Sequence, residues 1–218
     1  MNPYTNVMKY IVAALLLAIP VCVGEILNRF ENIHNEYSRK VVHILSAVVA
    51  ALLVVFFSLE EIAVYSLLSI PVLVLLRFSK RVHSLYEITR ISYGELFFPA
   101  GVAAAALVAD TTLAYVYAVL ILGFADASAS LVGEKLRRGE FKIIGNIKSI
   151  VGSIAFCAMA ILVGAALLTA SGNTHLVLLA LPLAVVLAVS EMFLVYGTDN
   201  FIVPLFAAVL MNAVLVLS

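Results

Sequence analysis

The 218-residue chain is 64% hydrophobic and only 12% charged, about half the charged fraction that is typical of soluble domains. Its polar residues are too few to cover the surface of a soluble domain of this size, so the sequence predicts a protein that is surrounded by lipid. The 13 basic and 13 acidic residues balance, which excludes a nucleic-acid-binding module, and the two cysteines lie in apolar runs that predict neither a disulfide framework nor a metal knuckle.

Eight apolar segments with the composition of membrane helices follow one another along the chain. They are 7–27, 41–57, 62–78, 96–109, 112–132, 150–170, 176–195 and 201–217. Pro20 predicts a kink in the first segment, which we interpret as a retained helix instead of a cleaved signal peptide. The fourth segment is short and holds Pro99 and Gly101, so it is either re-entrant or buried by its neighbours, and seven spans are the alternative. The prediction is an all-α, polytopic transmembrane bundle that forms a single integral membrane domain over residues 1–218.

The basic residues are distributed unequally among the predicted loops. With eight spans, the first, third and fifth loops hold all but one of the 13 Lys and Arg residues. By the positive-inside rule these loops face the cytoplasm and both termini face outward. The polar segments that resemble motifs lie on the same side, while the outer half of the chain is almost purely apolar. This distribution predicts an active site that faces the cytoplasm, and it argues against a transporter, which needs polar groups near the midplane.

Asp126 lies in the fifth predicted span among glycine, alanine and serine residues. A charged side chain inside a membrane helix costs about 2.5–3.5 kcal/mol on insertion scales, so this carboxylate needs a partner. The small neighbours permit the close approach of another helix or of a ligand. We interpret Asp126 as a functional residue; the alternative is a helix-packing patch with a satisfied carboxylate.

Five basic residues alternate with glycines in the fifth predicted loop. Glycines let backbone N–H groups approach phosphate oxygens, and a Lys-Ser pair opens the sixth span, where a helix N-terminus favours anions. The pattern is not that of a P-loop. It predicts phosphate binding by five residues: Gly133, Lys142, Lys148, Ser149 and Gly152. The alternative is an ordinary basic loop that binds anionic lipid headgroups.

Arg39, Lys40 and His43 open the second predicted span at spacings of three and four residues. On a helix they share one face, which predicts a cationic clamp on phosphate. The alternative is that His43 simply bonds to a neighbouring helix. Two further features lie on the same predicted side: Glu25, at the end of the first span, and the turn at residues 92–95.

Glu191, Asp199 and Asn200 offer oxygen ligands at the end of the seventh span and in the last tight loop. They are predicted to lie on the same side as Asp126. Because Mg²⁺ prefers one or two carboxylates together with substrate phosphates, these four residues are a predicted magnesium site. Alternatively, Asp199 and Asn200 only cap the last helix.

Several short motifs occur in a fixed order along residues 36–206. They are Arg39-Lys40-x-x-His43, Ser92-Tyr93-Gly94, Asp126-x-x-Ala129-x-x-x-Gly133, Gly139 with Lys148-Ser149-x-x-Gly152, Glu191, and Asp199-Asn200-x-x-x-Pro204. The ordered set resembles the CTP-dependent lipid-alcohol kinases, a family that includes dolichol kinase, phytol kinase and a yeast-type diacylglycerol kinase. Ile147 and Val151 depart from the dolichol-kinase form of the nucleotide motif, and Lys148 to Ser153 look more like the phytol-kinase form.

The resemblance implies transfer of a phosphoryl group from CTP, with Mg²⁺, to a membrane lipid alcohol such as phytol, geranylgeraniol or a polyprenol. It also implies that Asp126 is the catalytic residue and that the protein acts in the membrane, with an oligomer possible. Two other functions stay open. One is a synthase of CDP-lipids similar to phosphatidate cytidylyltransferase, and the other is a transporter or lipid-binding protein without chemistry.

Overall fold

The computed structural model describes residues 3–28, 35–79, 93–144 and 146–217. In these ranges the chain is almost entirely helical, with one small hairpin. The elements are α1 (Pro3–Asn28), α2 (Asn35–Leu52), α3 (Leu59–Ser79), α4 (Gly94–Val108), α5 (Thr112–Leu120), α6 (Asp126–Leu136), β1 (Glu140–Ile143), β2 (Asn146–Ser149), α7 (Ile150–Ala170), α8 (Ala180–Phe193) and α9 (Asp199–Leu215). A π-helical turn, Ile121–Ala125, joins α5 to α6, and a 3₁₀ turn, Thr174–Leu179, precedes α8.

A helix lies at each of the eight predicted spans, because α5, the π-helical turn and α6 form one continuous helix, Thr112–Leu136. Among the described residues, five helices are long and apolar enough to cross a bilayer: Met8–Leu27, Tyr37–Val55, Thr112–Leu136, Ile150–Ala170 and Thr174–Phe193. The predicted all-α architecture of a membrane protein is confirmed. The number of spans and their orientation stay predictions.

The fourth apolar segment is a continuous helix buried by its neighbours, as one of its two interpretations expected. Neither Pro99 nor Gly101 interrupts α4, which packs against α3 and α9. A methyl group on Gly101 would lie 2.0 Å from the backbone oxygen of Asn200, so the glycine permits this close approach of α4 and α9. Small residues of this kind let membrane helices pack at short distance. The contact holds the beginning of α9 beside the first turns of α4.

The centre of the bundle is α5, which packs against α2, α7 and α9. Its Tyr115 and Tyr117 side chains are fully buried, and the Tyr115 hydroxyl donates a hydrogen bond of 3.0 Å to the backbone oxygen of Ala50. Most buried hydroxyl groups in proteins have such a partner. This bond fixes α5 against α2. The chain then passes from α5 into the π-helical turn that precedes Asp126, and α2 packs against that turn as well.

The segment predicted as a basic loop with glycines contains an antiparallel hairpin, which the sequence did not predict. In β1 and β2 Phe141 pairs with Lys148, and Lys142 pairs with Ile147. Directly paired residues share a face and successive pairs alternate between the two faces. The half-buried Phe141 and Lys148 therefore face the protein, while the exposed Lys142 and Ile147 face outward. Each strand has only four residues. In so short a segment, the alternation of inward and outward side chains cannot be recognised in the sequence among basic residues and glycines.

Candidate functional site

The site begins with Asp126, whose partner is Lys40. The Lys40 ammonium lies 2.7 Å from Oδ2 of Asp126, and the two side chains are only 6% and 13% exposed. His43 lies one turn further along α2, with Nε2 at 3.5 Å from the same carboxylate oxygen. Its Nε2 also lies 2.9 Å from the backbone oxygen of Leu122. Because that carbonyl only accepts hydrogen bonds, Nε2 carries the proton.

The π-helical turn before Asp126 explains how α2 reaches this carboxylate. A π-helical turn alters the regular pattern of backbone hydrogen bonds and occurs often at functional sites. Here it contains Leu122, whose carbonyl faces His43, and Gly123, where a methyl group would lie 2.3 Å from Cβ of Ala47. Ala47 is one turn beyond His43 on the same face of α2. Gly123 therefore allows the close contact of helices that places two basic side chains of α2 on Asp126.

Three carboxylates converge at this end of the bundle. One oxygen from each of Asp126, Glu191 and Asp199 lies within 4.8 Å of the other two. Asp126 opens α6, Glu191 lies in the last turn of α8 and Asp199 opens α9. Residues far apart in the sequence thus form one acidic cluster, which contains the hard oxygen ligands that Mg²⁺ prefers. The donor set fits this ion.

Lys148 supplies the second cation of the cluster from the inner face of the hairpin. Its ammonium forms an ion pair with the Glu191 carboxylate, lies 3.1 Å from the backbone oxygen of Glu191, and lies 3.6 Å from Oδ2 of Asp199. Burial opposes the charge on Lys148, but the two carboxylates outweigh it and raise the pKa of this ammonium above its ordinary value. Lys148 therefore carries its positive charge at neutral pH.

The net charge of the cluster is negative, which favours the binding of one further cation. Three carboxylates face two ammonium groups, so the cluster has a formal charge of −1 when His43 is neutral. A divalent cation would reverse that charge to +1, which favours polyphosphate binding. In this arrangement Lys40 neutralises Asp126 and Lys148 neutralises Glu191, as the low exposure of these charges requires.

Gly133, Ser149 and Gly152 lie together where α6 meets α7. The Ser149 hydroxyl accepts a hydrogen bond of 3.1 Å from the backbone N–H of Gly152 and caps α7. A methyl group on Gly133 would lie 2.8 Å from the Ser149 hydroxyl, and one on Gly152 would lie 2.8 Å from the backbone oxygen of Ala129. Helix packing is thus a sufficient reason for both glycines. Their predicted contact with phosphate stays a prediction.

The remaining predicted residues are placed differently. Lys142 lies on the outer face of the hairpin, away from Lys148, so the structure does not bring it into the cluster. Arg39 is half-buried next to Lys40 on α2. Asn200 is buried, and its side-chain amide donates a hydrogen bond of 3.1 Å to the backbone oxygen of Gly94, which anchors α9 to the beginning of α4.

Two other predicted features, Glu25 and the turn at residues 92–95, are only partly described. Glu25 is half-buried near the end of α1. The turn is described from Tyr93 onward, with Tyr93 exposed and Gly94 buried at the start of α4. Its Ser92 lies outside the described residues, and so do the basic residues Arg29, Lys80, Arg81 and Arg90 of the predicted loops.

The sequence analysis missed Tyr196, which connects the loop between Glu191 and Asp199 to the hairpin. Its hydroxyl donates a hydrogen bond of 2.9 Å to the backbone oxygen of Ile144, and its own backbone oxygen accepts one of 3.3 Å from the N–H of Tyr93. Tyr196 has a positive φ of 57°. The signal in the sequence was the Tyr-Gly pair at the turn, but nothing there identified the hairpin as its partner.

Fold and site together define a class of protein: a polytopic α-helical membrane protein with three carboxylates and two lysines gathered at one end of the bundle. The chain is 28% identical to a phytol kinase from Synechocystis sp., over 91% of this chain and 88% of that protein. This similarity confirms the resemblance to the lipid-alcohol kinase family that the ordered motifs indicated. No protein-family model matches the chain, and no solved structure matches it.

Proposed function

We propose that this protein is a lipid-alcohol kinase, which transfers the γ-phosphoryl group of a nucleoside triphosphate to the hydroxyl group of a membrane lipid. The observation that carries the proposal is the convergence of Asp126, Glu191 and Asp199 with Lys40 and Lys148. Phosphoryl transfer needs mainly positioning and neutralisation of phosphate charge, and this cluster contains the groups for both. By the family resemblance the donor is CTP. The similarity to a phytol kinase favours an isoprenoid alcohol as the acceptor.

The acidic residues have two proposed roles. Asp126, Glu191 and Asp199 would hold Mg²⁺, which neutralises phosphate charge when it is bound. Asn200, adjacent to Asp199, is the fourth proposed ligand. Asp126 also accepts the proton of the lipid hydroxyl group while the oxygen of that hydroxyl group forms a bond to the γ-phosphorus. The bond from that phosphorus to the bridging oxygen breaks, and the nucleoside diphosphate leaves.

The basic residues bind the phosphates in this proposal. Lys148 and Lys40 exchange their present carboxylate partners for phosphate oxygens, and Arg39 adds a guanidinium group at the same end of α2. His43 keeps the π-helical turn in place through the Leu122 carbonyl and orients Asp126. The reaction takes place on the predicted cytoplasmic side, where a soluble nucleotide reaches the cluster and the lipid tail stays in the bilayer.

The test is turnover by the purified protein with γ-labelled CTP, Mg²⁺ and a panel of geranylgeraniol, phytol, a long polyprenol and diacylglycerol. We expect label in one lipid, and none for Asp126→Asn, because the exchange replaces a charged metal ligand with a neutral one and removes the proton acceptor. Asp110→Asn is the matched control, since Asp110 is exposed at the far end of α4. Its turnover should equal that of the wild type.

Three results would contradict the proposal. Label transferred from α-labelled CTP with release of pyrophosphate would indicate a CDP-lipid synthase. Movement of a solute without nucleotide consumption would indicate a transporter. Normal turnover by a folded Asp126→Asn protein would remove Asp126 from the reaction.

A further inference from the structure

The turn and outer face of the hairpin carry apolar side chains that nothing in the described structure covers. Ile144, at the turn, is 71% exposed, and Ile147, on the outer face, is 55% exposed. Ile144 also has a positive φ of 45°, which is a genuine outlier for a β-branched residue. Strain of this kind costs about 1–3 kcal/mol and persists only where the surroundings support it. An isoleucine side chain with this exposure is unfavourable in water and favourable in an apolar environment.

The exposed apolar surface continues from the hairpin onto the outer face of α7. Ile147, Ile150 and Ile154 are 55%, 52% and 61% exposed, and they follow at spacings of three and four residues. No linker separates the hairpin from the helix, since β2 ends at Ser149 and α7 begins at Ile150. The backbone N–H of Ile150 also donates a hydrogen bond of 3.0 Å to the backbone oxygen of Gly139, before the first strand. Because α7 is long and apolar enough to cross a bilayer, its exposed isoleucines are the side chains that would contact lipid. In that arrangement the hairpin would start at the edge of the bilayer.

Basic side chains flank this apolar strip. Lys142 is the cross-strand partner of Ile147 and shares its outward face. Lys135, Arg137 and Arg138 are exposed just before the hairpin. Each basic residue close to an anionic membrane surface contributes about 1 kcal/mol of attraction. Long basic side chains place their apolar stems against acyl chains and their charges among headgroups.

We propose that the outer face of the hairpin, with Lys142 and Ile147, and its turn, with Ile144, dock on the headgroup region of an anionic bilayer at the end of the bundle that holds the acidic cluster. The isoleucines enter the boundary between headgroups and acyl chains, and the basic residues bind lipid phosphates. The inner face meanwhile keeps Lys148 on Glu191. This inference goes beyond the proposed reaction and does not depend on it.

The absence of tryptophan from the sequence allows a direct test. Ile144→Trp and Ile147→Trp each introduce a single fluorescent reporter into the full-length protein, reconstituted in nanodiscs of phosphatidylcholine and phosphatidylglycerol. Ile154→Trp, on the exposed face of α7, is the control for a position in lipid. Phe141→Trp, on the inner face of the hairpin, is the control for a position away from the bilayer. The measurements are the emission maximum, quenching by brominated lipid and quenching by acrylamide in the water phase.

We expect both hairpin reporters to have blue-shifted emission, to lose most of their fluorescence with brominated lipid and to resist acrylamide, as Ile154→Trp does. The shift should weaken in nanodiscs of phosphatidylcholine alone, and also when Lys142→Gln is added, because the electrostatic attraction is then reduced. Emission from both reporters that is strongly quenched by acrylamide and unaffected by brominated lipid would overturn the proposal. So would blue-shifted emission without lipid quenching, since a second protein surface would then cover the hairpin. Because no nucleotide is present, neither result bears on the kinase proposal.

Discussion

Replacing Lys40 with methionine tests whether burial makes the ion pair with Asp126 a strong one. The substitution keeps the apolar stem of the side chain and removes its charge. The carboxylate of Asp126, 13% exposed, then loses the ammonium group at 2.7 Å. Removing one partner of a buried pair costs about 3–5 kcal/mol, because the remaining charge is left without compensation. We therefore expect Lys40→Met to lower the free energy of unfolding by about this amount.

The chain contains a control pair that joins α1 to α3. Lys9 lies 2.8 Å from the Glu61 carboxylate, almost the same distance, but these side chains are 23% and 36% exposed. Exposed ion pairs contribute about 0.2–1 kcal/mol, since water screens them. The distance is thus almost the same in the two pairs, and the difference in burial predicts a difference in coupling energy.

The assay is a double-mutant cycle on unfolding in detergent for each pair. In the buried cycle Lys40→Met and Asp126→Asn should each be costly, and the double variant should regain most of the loss because no unpaired charge remains. In the exposed cycle, built with Lys9→Met and Glu61→Gln, the coupling energy should be several times smaller. Equal coupling in the two cycles, or strictly additive losses in the buried one, would refute the reasoning from burial.

Three further predictions follow from the same geometry. Gly152→Ala should destabilise the protein by about 1–3 kcal/mol, as overpacking does. The reason is that the new methyl group would lie 2.8 Å from the Ala129 backbone oxygen. An unchanged temperature of thermal unfolding would contradict this prediction. Lys148→Gln should raise the KM for nucleotide much more than Lys142→Gln, since only Lys148 lies on the inner face of the hairpin, and equal effects in the turnover assay would argue against that placement. The raised pKa of Lys148 means that its contribution to stability is fully present below its unfolded-state pKa of about 10.4 and is lost as the pH rises through the higher folded value. The difference in thermal unfolding between wild type and Lys148→Met should therefore stay constant from about pH 7 to 10 and shrink above that range.

The helices themselves could be predicted from the sequence because apolar runs long enough for a bilayer are a local property. The need of Asp126 for a partner was also visible, since a carboxylate in such a run is costly without one, and Lys40 is that partner. Glu191, Asp199 and Lys148 were predicted as site residues, and the structure brings all three within reach of Asp126. Composition and the ordered motifs were enough to identify these residues as candidates for one site.

The spatial partners of these residues could not be predicted from the sequence, because they depend on how helices that are far apart in the sequence pack together. Lys40 was predicted as a phosphate clamp, and only the fold shows that it neutralises a carboxylate 86 residues away in the chain. Gly133 and Gly152 suggested a phosphate loop, and only the contact of α6 with α7 shows the space that each glycine leaves. Lys142 and Lys148 were both predicted to bind phosphate. The pairing of two short strands places them on opposite faces, because side chains alternate along a strand whatever their charge.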